Sequence, residues 1–130
     1  MRYEASFTKI ENELVHGLRE RLNSAEGSAD VQKIFAEFLQ EILSRISGMA
    51  VVLDEGDVRV DPEAKDNFTL GPGITQNADY AKYLVESDLL DILRRQAEHA
   101  AHKITYMREH PKKDEAVPFP RKDRKLMGSR

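Results

Sequence analysis

The sequence contains no cysteine and no tryptophan. Without cysteine there are no disulfides, no thiolate metal sites and no cysteine nucleophiles. Aromatic residues make up only 7% of the chain, so its core must be largely aliphatic. Long hydrophobic runs are missing as well. The longest, Met49–Leu53, falls far short of the ~20 apolar residues that a membrane helix needs. The first residues lack the apolar stretch of a secretory signal. A cytoplasmic protein with no membrane contact is the expectation. Also missing are the Gly-x-Ser-x-Gly elbow, the His-Glu-x-x-His zinc motif and the kinase signatures. No internal repeat is visible.

A length of 130 residues suits one domain, and 40% hydrophobic content supports a modest core. The net charge of −3 hides an asymmetry. Residues 1–110 hold 13 Lys/Arg against 20 Asp/Glu, a net −7. Residues 111–130 hold 7 against 3, a net +4. A dedicated nucleic-acid module carries its basic face on the fold itself, so an acidic body with a basic tail argues against one.

Near the C-terminal end Leu90, Leu93, Ala97, Ala100, Ile104 and Met107 recur at intervals of 3 and 4. Such a stripe lets one helix meet another, and its central alanines allow close backbone approach. Continued backwards, the stripe reaches Tyr83 and fails at Glu86, which predicts a break before Ser87-Asp88. Pro111 ends this helix. Two earlier helices are predicted. The first covers about Phe7 to Asn23, with Thr8 and Glu11 at capping-box spacing. The second runs from a Ser28 cap to Gly48, with apolar positions over half its circumference and the i,i+4 pairs Lys33–Glu37 and Glu41–Arg45. Joined by a short loop, the two form an antiparallel hairpin.

The middle of the chain changes character. Met49–Leu53, the turn residues 54–57 and the alternating Val58-Arg59-Val60 read as a β-hairpin. Asn67–Leu70 adds a short strand or covers the core. Gly71-Pro72-Gly73 suits a type II turn, and Asn77 can cap a helix from Ala78. The expected fold is mainly α: residues 1–110 form one helical domain with a β-hairpin insertion at about 49–70, and 111–130 form a flexible basic tail.

Several constellations invite chemical readings. Glu13 and His16 have the Glu-x-x-His spacing of di-iron bundles, and Glu98, His99 and His102 cluster on the last helix. At 100° per residue, however, His16 lies about 200° from Leu14. His99 and His102 point more than ~120° from the seam. Ligands of a bundle site must face inward, so a metal-binding bundle is the alternative reading and no cofactor is expected. His99 also belongs to a second line with Ile92 and Tyr106, which makes it a core-edge histidine. Gly71-Pro72-Gly73-Ile74-Thr75-Gln76 narrowly misses the dinucleotide fingerprint: its third glycine is Gln76, and Pro72 removes an N–H. The acidic stretch from Asp54 to Asp66 does not follow the EF-hand ligand order and reads as solvated turns. In the tail, Phe119 between Pro118 and Pro120, with Arg121, Lys122, Arg124 and Lys125, could dock on an acidic or apolar surface.

The functional expectation is a non-enzymatic interaction or assembly module. It would pair through its seam, in a two-fold dimer as the first expectation, and reach a protein partner through the tail. A metal-binding helical-bundle protein or enzyme is the first alternative. A nucleic-acid accessory protein using the basic tail is the second, with the acidic body against it.

Overall fold

A computed structural model describes residues 6–54 and 56–110. In chain order the elements are α1 (Thr8–Ser24), α2 (Ser28–Ser47), β1 (Val58–Val60), β2 (Phe68–Leu70), α3 (Pro72–Thr75), α4 (Ala78–Glu86) and α5 (Leu89–Glu109). The protein is mainly helical with one small antiparallel hairpin. Among the described residues no helix is long and apolar enough to cross a membrane.

Side-chain pairs between helices fix their directions. Glu13 and Arg21 of α1 meet Arg45 and Glu37 of α2, so these helices run antiparallel. Glu11 and the Asn23 carbonyl of α1 meet Arg95 and Lys103 of α5, so those two run parallel. Leu93, Ala97, Ala100 and Ile104 are buried together with Phe35, Leu39, Ile42 and Leu43 of α2 and with Leu18 and Leu22 of α1. Each large side chain so buried contributes about 1.5–3 kcal/mol. Phe35 also lies 6.3 Å from the Phe68 ring, which seats the hairpin on the helices.

Both ends of α2 can be read physically. Gly48 stops the helix in the left-handed region at φ 75°, and its N–H reaches the Ser44 carbonyl. At the start Gly27, not Ser28, is the capping position; it makes no side-chain cap, and Asp30 instead accepts from the Glu26 N–H at 3.0 Å. Glu41 pairs with Arg45 as the spacing predicts, whereas Glu37 turns away from Lys33 to meet Arg21. The break at Ser87-Asp88 is present: Ser87 is extended between α4 and α5.

The hairpin differs from expectation. β1 pairs with β2, with Val58 opposite Leu70 and Val60 opposite Phe68, across a loop in which Asn67 takes φ 69°. Residues 49–53 form no strand, because α2 claims their main chain: Val51 donates to Ser44 Oγ at 2.9 Å and Leu53 to Gln40 Oε1 at 3.0 Å. Gly71-Pro72-Gly73 is not a type II turn either. Pro72 is the first residue of α3, where a proline's fixed φ suits helix initiation.

Candidate functional site

Most of the seam is core. Leu93, Ala97, Ala100 and Ile104 are buried against the chain's own helices, while Leu90 and Met107 at its ends are half-buried. The N-terminal hairpin is thus the partner of this stripe, and the two central alanines let α5 lie close to it.

The metal candidates do not converge. Glu13 is ion-paired with Arg45 at 2.8 Å, and His16 pairs with Glu20 at 3.2 Å on the open surface. Glu98, His99 and His102 are exposed. Among the described residues no three His, Asp or Glu side chains gather as a metal site. Partial burial lowers the His99 pKa, helped by Arg19 and His102 and opposed by Glu98. Phe119, Arg121, Lys122, Arg124 and Lys125 lie outside the described residues.

The expected capping box is replaced by a polar junction between α1 and the start of α5. Thr8 donates to Asp88 at 2.8 Å and does not cap its own helix. Asp88 also accepts from the Phe7 N–H at 2.7 Å and from Ser6 Oγ at 2.8 Å. It therefore caps α1 from the other side of the molecule. Burial pushes the Asp88 carboxyl up, but the three donors outweigh it and hold the pKa below its ordinary 3.8. Glu11, only 4% exposed, turns to α5. Arg95 clasps both of its oxygens, at 2.6 and 3.2 Å, and Gln96 Nε2 donates at 2.6 Å. The carboxylate in turn raises the Arg95 pKa. It also dictates the Gln96 orientation: the amide nitrogen must face Glu11, leaving the buried Oε1 without a partner among the described residues. Every charge in this junction is satisfied internally, so its work is to align helices.

The glycines at 71 and 73 have a packing reason. A Cβ on Gly71 would strike the Gly56 carbonyl, and one on Gly73 would strike the Asp57 carboxylate. The turn at 54–57 lies directly on the start of α3, so a tight fit between chain segments accounts for the near-fingerprint.

Sequence reading missed the polar stripe of α2. Gln32 binds the Val60 main chain twice, Nε2 to the carbonyl and Oε1 from the N–H, both at 2.8 Å. With Gln40 and Ser44 it holds residues 51–54 and 56–60 as a strap running antiparallel to α2. The only sequence signal is the recurrence of side chains able to bind amides at 32, 40 and 44, all on one face. Between strap and helix lies a groove of about 540 Å³, lined among others by Ala29, Lys33, Ala36, Glu37, Leu53 and Val58.

Some apolar surface stays open. Met49 is 69% exposed, Val52 82% and Val85 75%. In α4 no residue is buried, although Tyr80, Tyr83 and Leu84 form an apolar stripe and Tyr83 meets the Phe7 ring edge-on at 6.3 Å. No known family model matches the chain, and no characterised protein or solved structure shows significant similarity to it.

Proposed function

We propose that this chain is a non-enzymatic helical interaction module of the cytoplasm that assembles first with a second copy of itself. The observation that carries this reading is α4, an amphipathic helix whose apolar stripe is only half covered and whose Val85 is 75% exposed. Tyr80, Tyr83 and Leu84 pack half-buried on the chain's own core, so what α4 offers a partner is their open side and Val85, which at 100° per residue lies on the other face of the helix. The seam does not serve as the contact surface in this reading, since it is filled from within. The basic tail is a second contact, suited to an acidic protein partner.

Sedimentation velocity of the full chain across the micromolar range tests the proposal. A rise towards twice the chain mass, abolished by Val85→Asp, supports it. A monomer at every concentration refutes self-assembly.

A further inference from the structure

The side chains that hold the strap form a ladder along α2 with one rung missing. Ser44 binds Val51, Gln40 binds Leu53 and Gln32 binds Val60. These positions recur every four or eight residues, and the skipped position is Ala36. Val58 lies two residues before Val60, about 6.6 Å along a strand, while Ala36 lies four residues after Gln32, about 6 Å along the helix. Val58 is therefore level with the rung that has no polar group. The Gln32 and Gln40 bonds close the strap onto the helix on either side, about 12 Å apart along α2. What they leave between them is a window one side chain deep, too shallow for a further strand.

The sheet register shows where the Val58 main chain points. The bonds Gly71 N–H to Asp57 carbonyl and Asp61 N–H to Asn67 carbonyl put the odd-numbered residues in contact with β2. In an antiparallel pair the even-numbered residues then turn their N–H and C=O to the other edge. Val60 does so and is met by Gln32. Val58 does so and has no hydrogen-bond partner among the described residues, though it is only 5% exposed. Buried main-chain groups are nearly always paired. Gln40, the next rung, spends its Oε1 on Leu53, and its side chain borders the same groove as Val58.

We propose that this window is a binding site for a small uncharged molecule bearing a primary carboxamide, which sits on Val58 as the Gln32 side chain sits on Val60. Gln32 supplies the template on the same edge of the same strand. Its Nε2 donates to the Val60 carbonyl and its Oε1 accepts from the Val60 N–H, both at 2.8 Å. A glutamine side chain exceeds that of alanine by a methylene and a carboxamide, which together make up acetamide. Opposite Ala36 those atoms come from the ligand. A primary amide presents a donor and an acceptor side by side. A carboxylate has no donor for the Val58 carbonyl, and an ammonium has no acceptor for its N–H. Lys33 and Arg59 in the lining are matched by Glu37 and Asp54, so no net charge favours an ion. The groove, at about 540 Å³, has the volume of a small-molecule site, and Ala29, Ala36 and Leu53 give it apolar walls for the rest of the ligand. The inference is independent of self-assembly through α4.

Amide chemical shifts of the full chain, followed by NMR during titration with benzamide, test it. The expected result is a Val58 amide proton that moves downfield and saturates, as an N–H does on gaining a carbonyl partner, while Leu93 stays in place. N,N-dimethylbenzamide keeps the ring and the carbonyl but has no N–H. It should bind about tenfold more weakly or worse, because it leaves the Val58 carbonyl unpaired. Ala36→Gln fills the window from within: the Val58 amide should lie downfield without ligand, and benzamide should no longer move it. Ala36→Ser, too short to reach Val58, should keep the response. A Val58 amide that benzamide does not move overturns the proposal. Equal binding of the two amides also overturns it, since only apolar contact then remains. An unchanged response in Ala36→Gln overturns it too, by placing the benzamide elsewhere on the protein.

Discussion

Replacing Asp88 by alanine removes one carboxylate that does three jobs. It caps α1 through the Phe7 N–H, and it binds the Ser6 and Thr8 hydroxyls. Loss of a cap alone costs about 0.5–2 kcal/mol. Hydrogen bonds to a charged acceptor are worth about 1.5–3 kcal/mol each, but Ser6 is exposed and Thr8 half-buried, so water replaces much of their share. The expected loss is therefore about 2–3 kcal/mol at neutral pH, with Asp88→Asn losing roughly half as much because one oxygen still accepts. Urea unfolding followed by helical circular dichroism measures both. The pH dependence has a definite sign. The folded-state pKa of Asp88 is depressed, so its stabilisation is fully present above the ordinary value of 3.8 and fades as pH falls from there through the lower folded value. The gap between wild type and Asp88→Ala should hold steady from neutral pH down to weak acid and shrink below that. A loss under about 0.5 kcal/mol, the size of an unremarkable surface change, refutes the cap. A gap that widens on acidification refutes the charge argument.

Three further perturbations test other contacts. Ala97→Leu places a large side chain where α5 has no free surface, and should cost about 1–3 kcal/mol in urea unfolding; a neutral effect would mean the helices are not close there. Gln32→Ala strands the N–H and carbonyl of buried Val60, for about 1–3 kcal/mol, and Gln32→Glu should be worse because a carboxylate then faces the Val60 carbonyl; thermal melts rank the two. Gly71→Ala should lower the melting temperature more than Gly73→Ala, since the first meets main chain and the second a side chain that can move; the reverse order would refute the packing account of this loop.

The helices were legible because their signals are local. Apolar spacing gave α1, α2 and α5, Gly48 marked an end, and Glu86 in the seam marked the break before Ser87. Local signals failed where a distant residue made a better offer. Thr8 and Glu11 have the right spacing for a capping box, yet each gains more from α5: Thr8 from Asp88, and Glu11 from a guanidinium and an amide. The β-hairpin was legible as a class of structure but not in its pairing. Met49–Leu53 carries the apolar, β-branched pattern of a strand, but alternation does not reveal that Ser44 and Gln40 will take its N–H groups. A polar residue on the open face of an amphipathic helix looks the same whether it meets water or a neighbouring main chain.

That ambiguity is why the α2 stripe matters to the architecture. A two-stranded sheet is marginal alone and needs a surface behind it. Here the support is partly apolar, through Phe35 against Phe68, and partly amide to amide, through Gln32 against Val60. The second kind is directional: it fixes which edge of β1 faces the helix and hence which valines turn their main chain outward. Once Gln32 holds Val60, the alternation of the strand leaves Val58 open, and Ala36 ensures that the chain does not close the gap from within. The register of the hairpin on the helices thus follows from one glutamine of α2, and Gln32→Ala is the variant that removes it.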